Sequence, residues 1–191
     1  MELNDAIFGR RATRQYTRQA VETAMLQKLL VSAVNAPSAI NGQPWAFTVV
    51  RDQAKLDLIS RSAKSHMLAT VPGAALPGHV HGPLADASFQ IFYHAPALIL
   101  ISATQKGPWV VEDCALAAEN LMLAAYGAGL GSCWIGLAQS WLNTPEGKQV
   151  LDTPDAWISV APIIVGYAQG LSAPVPRREP LVRWIDAPQG Q

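Results

Sequence analysis

The stretch "VEDCALAAENLMLAAYGAG", residues 111 to 129, decides the fold. Its apolar residues run almost all round a helical wheel, interrupted by Glu112, Asp113, Glu119 and Asn120. A helix that is apolar on most sides must be covered on most sides, so this one belongs at the centre of the molecule. What covers it can be read outward from there. "APALILISA" (95 to 103) and "WISVAPIIVGYA" (157 to 168) read as buried strands, and "WAFTVV" (45 to 50) as a third. Residues 22 to 35 place Met25, Leu26, Leu29, Leu30, Ala33 and Val34 at helical spacing, and Pro37 ends that helix. Residues 2 to 9 form a short helix, and Asp52 caps another that carries Leu56, Ile59 and Ala63. Helices mixed with few strands predict an α+β layer architecture.

The glycines that follow the central helix, Gly127, Gly129 and Gly131, do not fit a dinucleotide fingerprint, which opens a helix rather than closing one. They cap the helix, or bring backbone N–H groups close to a ligand. Residues 71 to 84, "VPGAALPGHVHGPL", hold three prolines and three glycines and read as a long loop. Residues 170 to 191 have no clear period and read as an extended arm.

The chain has 191 residues, which suits one domain spanning 1–191. Half the residues are apolar and 15% are charged, a lean surface that points to area buried between subunits. The net charge of zero gives no case for a nucleic-acid partner. No uncharged apolar run is long enough for a membrane span, and Cys114 and Cys133 give neither a disulfide framework nor metal spacing. Glu2 and Asp5 stand where a signal peptide would carry basic residues, so the expected location is the cytoplasm. No metal is expected: His66, His79, His81 and His94 form no ligand pattern.

Two local features ask for a ligand. Arg10, Arg11, Arg14 and Arg18 have no acid between them, and Arg177 and Arg178 form a second cluster in "PRREP". The planar guanidinium fork suits a phosphate, and clusters from opposite ends of the chain can meet on one dianion. In "APSAINGQPWAF" (36 to 47), two prolines frame Ser38, Asn41 and Gln43 beside Trp45. Solvent needs no such stiffness, and a core would reject the amides.

Taken together, "RRATRQY", "APSAINGQPWAF", "EDCALAAENLMLAAYGAGLGSCWIG", "APIIVGYA" and "PRREP" resemble, in order, the motifs of the FMN-dependent nitroreductase family. The likeness covers nearly the whole chain apart from about 62 to 90. It implies a three-layer α/β/α sandwich with a mixed, mostly antiparallel sheet, a long central helix and an extended C-terminal arm. It also implies a homodimer with FMN at the subunit interface. Arg10, Arg11, Ala12 and Arg14 fall on the phosphate-holding segment, where Ala12 replaces the usual serine. Arg177 or Arg178 supplies the C-terminal phosphate contact. Pro37, Ser38, Ala39, Asn41 and Gln43 fall on the loop that embraces the flavin, usually in the partner's site. Trp134, Ile135 and Gly136 fall along one flavin face and offer a backbone N–H toward the ring. The implied activity is two-electron transfer by ping-pong from NADH or NADPH to nitroaromatics, quinones or similar flat acceptors. No side chain is nominated as catalytic, and Cys133 reads as a small buried thiol. A flavin-binding carrier or sensor is the alternative.

Overall fold

The computed structural model of the protein describes residues 2–71, 78–86, 88–170, 173 and 175–185. Four strands form its sheet: β1 (Trp45–Val50), β2 (Ala97–Ala103), β3 (Gly131–Trp134) and β4 (Ile158–Gly166), in the order β1-β2-β4-β3. Each neighbouring pair is antiparallel. The parallel component comes from an isolated bridge between Ala12 and Ser132.

Alternation along β2 explains the layers. Ile99 and Ile101 pack on one face with α2 (Thr23–Val34) and α5 (Val110–Gly127), through Leu26, Leu29, Ala117 and Leu121. Leu98 and Leu100 pack on the other face with Leu56, Ile59 and Ala63 of α3 (Gln53–Thr70), and with Trp141 and Leu142 of α6 (Gln139–Leu142). The sheet therefore lies between two helical layers. A bulge between Ile101 and Ser102 makes their partners Ala161 and Ser159, so Val160 is the extra residue and both Val160 and Ala161 face the α5 side.

Local chemistry accounts for the helix ends. Asp52 Oδ1 accepts from the amides of Ala54 and Lys55 at 2.9 and 3.3 Å, opening α3 as expected. The backbone N of Glu2 donates to Asp5 Oδ2 at 3.1 Å at the start of α1 (Leu3–Gly9). Helix α5 closes with Leu130 N donating to Ala125 O at 2.8 Å and Gly129 at φ +77°, so Gly129 takes the capping role, while Gly127 ends the helix and Gly131 opens β3.

One expectation is corrected, and elements appear that the sequence did not signal. The strand β3 was not anticipated, because four residues starting at a glycine carry little periodicity; its register on β4 defines it. Two short helices, α6 and α7 (Pro145–Leu151), also went unread. Within the stretch expected to be a loop, Gly78–Ala85 forms α4 despite Pro83. Leu84, 1% exposed, packs into the α3-side core, and that burial outweighs the local cost of glycine and proline. Residues 72–77 of that stretch lie outside the described residues, as do residues 186–191 of the arm. Residues 175–185 of the arm carry no helix or strand, and Leu181, Trp184 and Ile185 are exposed. Among the described residues no helix is long and apolar enough to cross a membrane.

Candidate functional site

The arginine segment is laid along the sheet edge by backbone pairing. Thr13 N donates to Ser132 O at 3.0 Å beside the Ala12–Ser132 bridge. Four residues on, Thr17 N donates to Tyr167 O and Gln169 N to Gln15 O, both at 2.9 Å. The Tyr16 hydroxyl donates to Thr13 O at 2.8 Å, and its burial pushes the phenol pKa up. Arg14 therefore stands between two pinned points. Thr13 is buried against Gly131, so its hydroxyl does not substitute for the serine missing at Ala12.

The result is a trough of about 840 Å³ whose wall includes Arg10, Arg11, Arg14 and, from the arm, Arg177. No Asp or Glu is among its described lining residues. The guanidiniums differ in what else they do. Arg10 Nε lies 3.4 Å from Glu119 Oε1 of α5, a partner no local reading of the segment could supply. Arg11 Nη1 donates to Phe8 O and Arg10 O at 2.7 and 2.8 Å, closing α1, while its Nε is buried with no hydrogen-bond partner. Arg178 is exposed and does not line the trough.

A second concavity of about 1150 Å³ adjoins the first and shares Arg14, Gln15, Tyr93 and Gln169 with it. Its wall is held to one stripe of α3. Gln90 Nε2 donates to Asp57 Oδ1 at 2.6 Å, Ile91 N to Ser60 Oγ at 3.0 Å, and Lys64 Nζ to Asp86 O and Phe89 O at 2.6 and 2.8 Å. Tyr93 and His94 there have φ of +52° and +54°. The sequence carried no signal for Tyr93 or Gln169. It did carry one for Glu119, a lone charge in the apolar middle of α5.

The loop at 37–43 does not line this trough. Ser38 Oγ accepts from Gln43 N, and Gln43 Nε2 donates to Asn41 Oδ1, each at 3.0 Å. Ala39 N donates to Asp113 Oδ1 at 2.9 Å. Ile40, Asn41 and Gln43 all have positive φ, which costs roughly 1–3 kcal/mol per residue. Pro37 precedes the turn without a positive φ of its own.

Trp134 ends β3 and its ring packs on the α5-side core. Ile135 is buried, and its N–H donates to Pro162 O at 2.8 Å. Gly136 opens a short 3-10 turn, and a Cβ built there would meet no atom within 4 Å. Burial pushes the Cys133 thiol up, more than nearby Arg14 and Arg10 pull it down. It is thus a protonated thiol packed in the α3-side core.

The chain is similar in sequence and fold to known proteins. The family model described as Nitroreductase family matches residues 7–167. A protein of Archaeoglobus fulgidus, provisionally named NADH dehydrogenase/NAD(P)H nitroreductase, is 30% identical over 167 residues, 84% of this chain and 82% of that protein. A protein of Methanothermobacter thermautotrophicus with the same provisional name is 29% identical over 172 residues, 87% of this chain and 78% of that one. Among solved structures, a nitroreductase with bound FMN from Bacteroides fragilis superposes with TM-score 0.85 at 26% identity, covering 97% of this chain and 100% of that one. The motif order read from the sequence, the sandwich and the matched span lead to one conclusion: the chain belongs to the nitroreductase family.

Proposed function

We propose that the protein is an FMN-dependent NAD(P)H oxidoreductase, a homodimer of single-domain subunits that reduces nitroaromatics, quinones or similar flat acceptors. The observation that carries the reading is the trough in which Arg10, Arg14 and Arg177 meet with no lining carboxylate among the described residues. A phosphate dianion fits that charge balance, and the unpartnered Arg11 Nε adds a buried donor still without an acceptor. The names of the A. fulgidus relative and of the FMN-bound B. fragilis structure support the cofactor and the nucleotide donor.

FMN held there would supply two-electron transfer between a nicotinamide and an organic acceptor. The chain's own residues bind and orient. Arg14 and Arg177, with Arg10 shared with Glu119, would neutralise the phosphate, while Arg11 chiefly holds α1 closed. Gly136 is the residue whose amide would serve the ring, because Ile135 has committed its own to Pro162 and no side chain crowds Gly136. Ser38, Asn41 and Gln43 offer amides and a hydroxyl to the polar edge of a ring. Since their loop does not line its own chain's trough, the reading gives it to the partner's site. Exposed Leu181, Trp184 and Ile185 of the arm support the same dimer. Two free, buried thiols suit the cytoplasm.

The test is uptake of FMN by the purified protein, then rapid anaerobic mixing with NADH and, separately, NADPH. Expected are a yellow protein and bleaching of the flavin by at least one nucleotide. Failure to take up FMN removes the cofactor. Uptake without bleaching by either nucleotide favours a flavin-binding carrier or sensor.

A further inference from the structure

We propose that Asp113 is a positioning residue for the flavin loop: its carboxylate, 2.9 Å from the Ala39 amide, holds residues 37–43 in a shape they would not keep unaided. The inference rests on the reading that this loop meets the ring.

The loop is strained and has little of its own to sustain the strain. Ile40, Asn41 and Gln43 have φ of +50°, +56° and +44°. Ile40 is β-branched, which disfavours the left-handed region, and it is 95% exposed, so packing within the chain does not compensate. The bonds inside the loop join only neighbours: Asn41 N to Ser38 O, Gly42 N to Ala39 O, Gln43 N to Ser38 Oγ, and Gln43 Nε2 to Asn41 Oδ1. Such bonds shape a turn but do not aim it. Among the described hydrogen bonds, two ties aim it. Thr104 donates through N and Oγ1 to Pro44 O at 2.7 and 3.0 Å at the far end, and Asp113 receives Ala39 N at the near end.

The Asp113 tie spans 74 positions in sequence and ends on the central helix. The carboxylate is 6% exposed, and no ion pair reaches it among the described residues. A buried carboxylate without a cation is unfavourable unless donors and dipoles compensate it. Its place in the first turn of α5 supplies a favourable dipole, and Ala39 N supplies the donor. An apolar residue would pack there more cheaply, so the carboxylate is explained by what it holds. Strain kept by a distant anchor is the arrangement expected of a preorganised binding loop.

Asp113→Ala removes the acceptor, and Asp113→Asn keeps one oxygen in the same place. In flavin-free protein, hydrogen exchange at the Ala39 amide should be protected in wild type and Asp113→Asn and unprotected in Asp113→Ala. Affinity for FMN and for riboflavin should both fall about tenfold or more in Asp113→Ala, by similar factors, as for loss of a bond to a charged group. Asp113→Asn should stay within about threefold of wild type, since a neutral bond of the same geometry is retained. Where the alanine protein is too unstable to purify, Asp113→Ser, too short to reach Ala39, takes its place. Wild-type exchange protection of Ala39 that survives in Asp113→Ala would overturn the clamp. So would flavin affinities unchanged in Asp113→Ala, or a loss in Asp113→Asn equal to that in Asp113→Ala, which would mark the residue as a general stability element. Wild-type protein that binds neither FMN nor riboflavin would instead sink the flavin reading, while the exchange experiment still decides whether the clamp exists.

Discussion

Gly131 faces Thr13 so closely that a Cβ on the glycine would stand 2.5 Å from Thr13 Oγ1 and 2.7 Å from its Cβ. This contact seats the arginine segment on β3, because Ala12 and Thr13 pair with Ser132 next door. Gly131→Ala should push the two segments apart. Overpacking of this kind costs about 1–3 kcal/mol, read as a lowered denaturation midpoint. Because Arg14 rides on the displaced segment, FMN affinity should fall more than riboflavin affinity. Unchanged stability and affinity would show that the segment is seated elsewhere.

Phosphate anchoring separates the arginines. Arg14→Ala or Arg177→Ala should weaken FMN roughly 10- to 100-fold, the loss of one or more charge-assisted bonds, while riboflavin affinity changes far less. Arg178→Ala, outside the trough, should change either affinity by less than about threefold, the usual range for an exposed substitution. Fluorescence titration of the apoprotein with both flavins checks this. Equal losses for FMN and riboflavin in Arg14→Ala would mean that it acts through folding.

The proposed dimer makes a second prediction for the arm. Leu181→Glu and Trp184→Glu place charges on side chains exposed in the single chain. On a free surface each should shift stability by no more than about 0.5 kcal/mol. Buried between subunits, they should raise the dimer dissociation constant by tenfold or more. Sedimentation of wild type should give twice the 20.5 kDa chain mass. A wild-type monomer with FMN bound would refute the shared site.

Stability should fall in alkali for a reason located in the core. Burial, and then the charge of Asp113, pushes the Cys114 thiol from 9.0 to about 12. In the unfolded chain the thiol ionises near its ordinary value. Between those limits the unfolded state has lost a proton that the folded state keeps, so stability present below about pH 9 declines as pH rises toward 12. Denaturant midpoints at pH 8 and pH 10.5 should differ more for wild type than for Cys114→Ala. The same slope in both proteins would place the titration elsewhere.

Steady-state kinetics test the proposed ping-pong alternation of donor and acceptor. Double-reciprocal plots against NAD(P)H at several quinone or nitroarene concentrations should be parallel. Intersecting lines would require both substrates to be bound together.

Much of this protein was determined locally. The all-round apolar pattern at 111–129 made a central helix, Asp52 made the cap of α3, and Gly129 made the turn that ends α5, each because its neighbours along the chain decide its conformation. The basic segment at 10–14 and the polar loop at 37–43 stood out as candidate ligand sites for the same reason: guanidiniums with no acid beside them in sequence, and amides framed by prolines, are visible along the chain. What meets what was decided by tertiary structure. Glu119 reaches Arg10 across more than a hundred positions, Asp113 reaches Ala39 across 74, and Arg177 rather than Arg178 enters the trough. β3 exists because Gly131–Trp134 registers on Gly166–Ile163, and α4 because Leu84 finds the α3-side core. These depend on long-range pairing and burial, and their energies exceed the local preferences that a short window of sequence reports.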